Sequence, residues 1–500
     1  MSLLKSSMIV SIWTMASRML GFARDMLMAN KMGASAATDA FFIALILPNL
    51  LRRLFAEGAF NIAFVPLYSR LNESDPKAAQ AFVNQAFTWM IVFLGMLTIV
   101  AEIIMPAFVM LLAAGYANNV EKFALTVLFA RCTFPYLVLI SLASLLGALC
   151  NSAGKFAAYA FVPTLLNVAL IGALIVAEPF GWEPALASCI AVPIGGVLQL
   201  GFMLWAFKRA GLKVALVRPE LSRNMRHLFV RFWPAALGVG VLQISFIIDT
   251  TLASWLEGPA VSYLQYANRF YQLPLAIIGT ALATVLLPHM ARALERQDQK
   301  AADGALTQSL GGGIAIALAA TAGLAMLAHE LMATLLHHGK FTAEATNATA
   351  WAMIAYSLGL PGYILTKITA TGFYAAGDTK TPVKAAAYAL LVNFVGNLIL
   401  MQYFGHVGIA LATALSGWTN AGLQWYWLQR TGQFTVKGAD LVWPLAKAAL
   451  VAGVVAASLW GFAAVVPFAE HSLLQFAWLA AATVLGGVVF AGGSVWSGLI

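Results

Sequence analysis

The stretch FVNQAFTWMIVFLGMLTIVAEIIMPAFVMLL, residues 82–112, contains a single ionisable side chain, Glu102. A helix needs about 20 apolar residues to cross a bilayer, so this stretch predicts a membrane-spanning helix. The whole chain has the same character, because 61% of its 500 residues are hydrophobic and 10% are charged, whereas soluble proteins carry about 25% charged residues. The composition therefore excludes a soluble protein, and the continuous apolar runs exclude an outer-membrane barrel.

Hydropathy and the Gly, Pro and polar breaks between apolar runs predict about fourteen transmembrane spans. Their limits are 8–31, 36–63, 82–112, 123–150, 158–178, 184–207, 232–256, 261–290, 306–330, 347–375, 383–404, 408–429, 441–466 and 473–496. The fold class predicted is an all-α polytopic membrane protein.

Lysine and arginine are distributed unevenly between the two sides of these spans. With the N-terminus in the cytoplasm, eighteen lie in cytoplasmic segments and only Lys31, Lys122 and Lys340 in the opposite loops. The positive-inside rule then predicts that both termini are cytoplasmic. The net charge of +9 mostly reflects this topology, so a nucleic-acid partner is not expected.

Three pairs of short motifs recur at offsets of 221–225 residues. They are FVPLYSRL at 64–71 with LLPHMARAL at 286–294, GALCNSAGKF at 147–156 with GFYAAGDTKT at 372–381, and KRAG at 208–211 with LQRTG at 428–432. This repeat predicts two lobes of six spans, 1–215 and 216–432, followed by two additional helices in 433–500. Transporters built from parallel repeats bind substrate near the membrane midplane between their halves.

Several predicted spans contain charged residues, which cost roughly 2.5–3.5 kcal/mol each at the centre of a membrane helix and usually face a polar cavity. They include Arg18, Arg24, Asp25, Asp39, Arg52, Arg53, Glu57, Asp249, Arg269 and Lys367. Arg53 and Glu57, spaced i, i+4, are expected either to pair on one helix face or to line the cavity. Lys367 either reaches a neighbouring helix or contacts substrate. Adjacent helical residues diverge by about 100°, so Arg24 and Asp25 are not expected to satisfy each other.

Four arginines, Arg18, Arg24, Arg52 and Arg269, remain as a cationic excess on spans 1, 2 and 8. The guanidinium group binds phosphate and carboxylate in a bidentate manner, so the cavity is predicted to hold a polyanionic substrate. The seven histidines lie in loops or at span ends, and no metal-ligand or nucleophile–base spacing is present. A transporter without a cofactor is therefore favoured over an enzyme that processes polyprenyl phosphates.

Asp249 lies near the middle of span 7 without a basic residue at i±3 or i±4. An unpaired ionised carboxylate is costly at that depth, so it is expected to be protonated or to hold a cation. Asn393 and Asn397 share one face of span 11, and Thr413 lies on span 12. These oxygens predict either a Na⁺ site or a hydrogen-bond cluster around a protonated Asp249. Whether transport is coupled to Na⁺, to H⁺ or to the membrane potential stays open.

Longer motifs resemble the MurJ/MviN family over nearly the whole chain. They are SRMLGFARD (17–25), ATDAFFIALILPNLLRRLFAEGAFNIAFVP (37–66), FPYLVLISLASLLGALCNSAGKF (134–156), GVLQ (196–199) and GKFTAEATNATAWAMIAYSLGLPGYILTKITATGFYAAGDTKTPVKAA (339–387). The resemblance implies a flippase for lipid II, the undecaprenyl-pyrophosphate-linked peptidoglycan precursor, in the bacterial inner membrane. It also implies the two-lobed fold of the MOP superfamily with two added C-terminal helices.

Carried over by residue, the resemblance places Arg18, Arg24, Asp25, Asp39, Arg52 and Arg269 in a central cavity. Family members often have YADR in span 8, whereas this chain has YANR with Asn268. Spans 13 and 14 are expected either to line a groove for the lipid tail or to be ordinary packing helices. The expected partners are lipid II and membrane lipids, and the expected state is a monomer. A MATE-like exporter is the alternative, but its cationic substrates call for acidic cavity walls.

Overall fold

The computed structural model describes residues 3–241, 243–431, 434–436, 438–468 and 472–498. Throughout these ranges the regular structure is helical and includes no strand, which confirms the predicted fold class. The helices are α1 Leu3–Met32, α2 Ala36–Arg52, α3 Ala59–Ser74, α4 Pro76–Leu112, α5 Val120–Thr133, α6 Tyr136–Ser152, α7 Phe156–Ala177, α8 Pro184–Arg209, α9 Arg223–Val241, α10 Ile244–Ala253, α11 Ala260–Glu295, α12 Gln299–Met326, α13 Ala328–Leu335, α14 Ala343–Ser357, α15 Leu360–Ala375, α16 Lys380–Thr431, α17 Gly438–Val465 and α18 Ser472–Ser497. A π-helical turn, Arg53–Glu57, joins α2 to α3, and a 3₁₀ turn, Ala114–Asn118, follows α4.

Nine helical stretches of the described chain are long and apolar enough to cross a membrane. They coincide with ten of the predicted spans, because α16 contains two spans separated by a break at Gly405 (φ 55°, ψ −132°). The other four predicted spans fall on α1, on α2 with α3, on α9 with α10, and on α11. The total of fourteen stays a prediction.

The chain forms two compact units, Met1–Pro259 and Ala260–Ile500. In the first unit, α7 packs on α1 and α8, α2 packs on α5, and α9 packs on α3. In the second unit, α12 packs on α17, α15 packs on α16, and α11 packs on α12, α14 and α15. The lobe boundary predicted at 215/216 from the repeat stays a prediction.

The repeat is visible in how α6 and α15 end. Gly154 (φ 73°) and Gly377 (φ 79°) follow these helices in the left-handed region, which favours glycine. In each turn the next amide closes the helix: Lys155 N–H donates to the carbonyl of Cys150, and Asp378 N–H donates to that of Phe373, both at 2.8 Å. This is the hydrogen bond of a Schellman C-cap, and the two glycines are 223 residues apart.

An extended segment after α8, residues 213–220 and here called the strap, is hydrogen-bonded along α4. Its bonds are Gln80 Nε2–H to the carbonyl of Lys213 (2.7 Å), Ala215 N–H to Asn84 Oδ1 (3.0 Å), Val217 N–H to Thr88 Oγ1 (3.1 Å), Gln85 Nε2–H to the carbonyl of Arg218 (3.1 Å), Glu220 N–H to Gln85 Oε1 (3.0 Å) and Trp89 Nε1–H to the carbonyl of Glu220 (3.0 Å). The second unit has a counterpart after α16, where Thr435 N–H donates to Asp303 Oδ1 of α12 at 3.1 Å. In each predicted repeat, the segment that follows the sixth span is thus hydrogen-bonded to the third span.

Candidate substrate site

Arg24 and Asp25 form an ion pair on α1, with Arg24 Nη2 2.6 Å and Nε 3.0 Å from Asp25 Oδ1. The expectation that these neighbours do not satisfy each other is therefore wrong. It relied on the divergence of their Cβ directions, but the long arginine side chain folds back far enough to reach the adjacent carboxylate. The remaining terminal nitrogen, Nη1, donates to Asn167 Oδ1 of α7 at 3.0 Å.

Arg18 lies six residues before Arg24 on α1 and is exposed. It lines a cleft of about 350 Å³ together with Thr14, Ser17, Asn151 and Tyr159 of α1, α6 and α7. In the part of the chain that the structure describes, no acceptor lies within hydrogen-bonding distance of its guanidinium group, and Asn151 Oδ1 is buried without a donor. The cleft thus presents a cationic donor, and a buried amide acceptor without a partner lies in its wall.

Arg52 and Arg53 lie where α2 gives way to the π-helical turn. Arg52 Nε–H donates to Asn49 Oδ1 at 3.4 Å, and Arg53 donates to Gln243 Oε1, which lies between α9 and α10. The π-helical turn changes the i, i+4 geometry on which pairing of Arg53 with Glu57 was based. The Glu57 side chain lies outside the described residues, so that pairing stays open.

Asp39 lies in the first turn of α2 and is only 1% exposed. Its Oδ2 is 2.8 Å from Lys122 Nζ and accepts a hydrogen bond from the Tyr116 hydroxyl at 3.1 Å. The Lys122 ammonium also lies 4.0 Å from the centroid of the Tyr116 ring. Burial and the adjacent carboxylate raise the pKa of Tyr116, so its hydroxyl stays protonated and donates.

This enclosure gives Asp39 the geometry of a structural ion pair, and its predicted contact with substrate stays a prediction. The sequence pattern indicates neither partner, because Tyr116 lies in the 3₁₀ turn after α4 and Lys122 lies in the first turn of α5, both far from Asp39 along the chain. One signal was available: Lys122 is one of only three basic residues predicted on the sparsely charged side.

In the second unit, Arg269 is an exposed residue of α11. Asn268, the departure from the family pattern, accepts a hydrogen bond from Gln272 Nε2 at 2.8 Å. The side chain of Lys367 on α15 runs over Gly279 of α11, where an added Cβ would lie 2.4 Å from the Lys367 ammonium nitrogen. Lys367 thus reaches a neighbouring helix, which was one of its two expected environments.

Three of the four predicted cation ligands also lie in the second unit and contact one another. Asn397 Nδ2 donates to Asn393 Oδ1 at 3.4 Å, and Asn393 Nδ2 donates to Thr413 Oγ1 at 3.3 Å. Both asparagines are fully buried. Asp249, also buried, belongs to the first unit on α10. A Na⁺ site made of all four residues stays a prediction, as does the hydrogen-bond cluster.

Comparison with solved structures defines the class of protein. A structure described as lipid II flippase MurJ in an inward closed conformation is 26% identical, covers 98% of both chains and superposes with a TM-score of 0.81. An inward-facing MATE-family transporter of the MOP superfamily is 14% identical and covers 85% of this chain and 98% of its own, with a TM-score of 0.69. The fold is that of a membrane transporter, shared by this flippase and the MATE-family protein.

Sequence comparison identifies the family. The family model for lipid II flippase MurJ matches residues 28–488. A probable lipid II flippase MurJ of Rickettsia prowazekii is 37% identical over 85% of this chain and 83% of its own length. Lipid II flippase MurJ of Burkholderia cenocepacia is 37% identical over 86% and 85%, respectively. The chain belongs to the MurJ family of lipid II flippases, which confirms the resemblance and a transporter rather than an enzyme.

Proposed function

We propose that this chain moves lipid II from the cytoplasmic to the periplasmic leaflet of the bacterial inner membrane by alternating access. Membership of the MurJ family supports the substrate and the direction. The observation that carries the proposal is the cleft at Arg18, in which the guanidinium group of a residue in the first predicted span meets no acceptor among the described residues. A charge in that position is costly unless a ligand or water compensates it.

In this proposal Arg18, Arg24, Arg52 and Arg269 bind the pyrophosphate and the carboxylates of the head group. Asp25 orients Arg24, while Arg53, Glu57 and Lys367 contribute to the polar wall. Asp39 supports the site indirectly, through its buried ion pair with Lys122. The undecaprenyl tail stays in the lipid beside α17 and α18, which are rich in Ala, Gly and Val. The protein acts as a monomer surrounded by membrane lipids, with both termini in the cytoplasm.

A reconstituted flipping assay tests this function. Proteoliposomes receive lipid II or an undecaprenyl-linked lipid without the pyrophosphate, and the fraction reaching the outer leaflet is measured over time. We expect the protein to flip lipid II but not the lipid without the pyrophosphate. Arg18→Ala should lose this activity. Arg18→Lys should recover it in part, because lysine restores the charge without the bidentate fork of the guanidinium group.

Arg131→Ala is the matched control, because Arg131 also lies within a predicted span but donates to the carbonyl of Glu102. Normal flipping by Arg18→Ala at normal abundance contradicts the role of Arg18. Flipping of both lipids at equal rates contradicts recognition of the pyrophosphate.

We propose further that a monovalent cation couples to transport at Asp249, Asn393, Asn397 and Thr413. The hydrogen-bonded chain from Asn397 to Thr413 supports this by holding three oxygen-bearing side chains together. Replacing Na⁺ by choline at fixed pH and ionic strength is expected to slow flipping, and Asn397→Ala is expected to abolish the difference. Indifference to the replacement excludes Na⁺. A dependence on pH alone that Asp249→Asn removes indicates H⁺ instead.

A further inference from the structure

Asn167 of α7 connects two groups of α1 and is only 6% exposed. Its Nδ2 donates to the carbonyl of Ser17, and its Oδ1 accepts from Arg24 Nη1, both at 3.0 Å. These partners fix the orientation of the amide, because a flipped amide would direct its N–H groups at the guanidinium donors. The amide packs beside Gly21, where an added Cβ would lie 3.6 Å from Nδ2, in ordinary van der Waals contact.

The contacts of Arg24 leave part of its guanidinium group available. A guanidinium has five N–H donors. Asp25 accepts from Nε and from one N–H of Nη2, and Asn167 accepts from one N–H of Nη1. One N–H on each terminal nitrogen therefore remains, and within the described chain neither has an acceptor. Two such donors on one planar group match two oxygens of a phosphate.

We propose that Asn167 is a positioning residue for substrate recognition, which holds Arg24 so that its two remaining N–H groups bind phosphate oxygens of the lipid-linked pyrophosphate. Asp25 alone binds the guanidinium along one edge and leaves its plane free to tilt about that edge. The amide of Asn167, anchored to the α1 backbone, fixes a second edge. The donors are then ordered before substrate arrives, which removes part of the entropic cost of binding. The inference rests on the proposed function, because it assigns a pyrophosphate-binding role to Arg24.

A double-mutant cycle with inorganic pyrophosphate as the probe tests this inference. The dissociation constant is obtained from the thermal stabilisation of the purified protein across a pyrophosphate titration. We expect Asn167→Ala to weaken binding about fivefold to tenfold, which corresponds to ordering one long side chain. In an Arg24→Ala background the same substitution should change the dissociation constant little, because Asn167 acts through Arg24.

Two further variants separate positioning from mere stability. Asn167→Asp keeps the acceptor for Arg24 but loses the donor to Ser17, so it should retain more affinity than Asn167→Ala. Gln199→Ala is the matched control, because Gln199 is also a buried amide that donates to the α7 backbone, at the carbonyl of Val162, 2.9 Å away. It should lower the unfolding temperature of the protein and leave the affinity for pyrophosphate unchanged.

The outcomes separate this inference from the proposed function. An equal loss of affinity from Asn167→Ala with and without Arg24 overturns the inference, as does the absence of pyrophosphate binding by the unmodified protein. Lipid II flipping is measured in parallel on the same preparations. If pyrophosphate binding shows the expected coupling but lipid II is not flipped, the proposed function fails while the positioning role stands. If lipid II is flipped but the coupling is absent, the proposed function stands while the positioning role fails.

Discussion

Replacing Asp39 by alanine is expected to destabilise the first unit strongly. The carboxylate of Asp39 is 2.8 Å from the Lys122 ammonium, whose side chain is only 12% exposed. At that separation and an effective dielectric constant of about 20, the gross attraction is about 6 kcal/mol, and desolvation of the two charges offsets much of it. Removing one partner leaves a buried charge without compensation, which typically costs about 3–5 kcal/mol. Tyr116 loses its acceptor at the same time.

Thermal unfolding of the purified protein measures this effect. A loss of about 3–5 kcal/mol corresponds to a drop of roughly 10 °C in the unfolding temperature for a unit of this size. Asp39→Asn combined with Lys122→Met removes both charges and should recover most of that loss, because the cost lies in the unpaired charge. Lys122→Met alone should also destabilise the protein, because it leaves the more deeply buried carboxylate of Asp39 with the Tyr116 hydroxyl but without its counter-ion.

The alternative gives a different result. If Asp39 is first of all a substrate contact, Asp39→Ala should block flipping while the unfolding temperature stays within about 3 °C of that of the unmodified protein. The double variant would then have no higher an unfolding temperature than Asp39→Ala, because Asp39→Ala would have lost no stability. That pair of results would refute the assignment of Asp39, Lys122 and Tyr116 as a structural cluster.

Three further predictions concern packing, capping and the strap. Gly147→Ala should destabilise the protein by several kcal/mol, because its Cβ would lie 2.2 Å from the Tyr159 ring. Gly172→Ala is the control and should not destabilise the protein, because no atom lies within 4 Å of its added Cβ. Thermal unfolding compares the two variants. Asp378→Ala should cost about 1 kcal/mol, because its carboxylate caps α16. Hydrogen bonds to that carboxylate lower the pKa of Asp378. Its contribution to the free energy of unfolding is therefore complete above the ordinary carboxyl pKa and is lost as the pH falls through the lowered value. Unfolding measured across an acid titration detects this loss. Asn84→Ala should speed amide hydrogen exchange in the strap, and unchanged exchange would show that the strap does not depend on α4.

The sequence predicted the helical elements well, because continuous apolar runs and glycine breaks have local causes. The turn at Gly154 and its counterpart at Gly377 could be anticipated from the repeat alone, since a helix that ends in the left-handed region favours glycine. The break inside α16 at Gly405 also has a positive φ, although its ψ of −132° lies outside the left-handed helical region. Cβ directions, in contrast, do not predict which long side chains pair within a helix: they separate Arg24 from Asp25, and the two residues nevertheless form an ion pair.

Partners of buried charges could not be derived in this way. Lys122 follows Asp39 by 83 residues and Tyr116 follows it by 77, so the pairing depends on how α5 packs against α2. Asn167 lies 143 residues from Arg24. An asparagine inside an apolar span indicates a polar contact, but the sequence does not say with which helix. The cationic excess was therefore overestimated: Arg24 has a counter-ion in Asp25, while Arg18 meets no acceptor among the described residues.

The strap shows that one tertiary contact did leave a signal in the sequence. Gln80, Asn84 and Thr88 are spaced i, i+4, i+8 and so share one face of α4, although the same helix continues as an apolar span. A polar stripe at the end of a membrane helix needs hydrogen-bonding partners, because unpaired polar groups are costly near the hydrocarbon core. The polar segment that follows α8 supplies them with its backbone. Asp303, 223 residues after Gln80, holds the corresponding segment of the second unit, so the repeat predicts where an equivalent polar anchor belongs even though the residue type has changed.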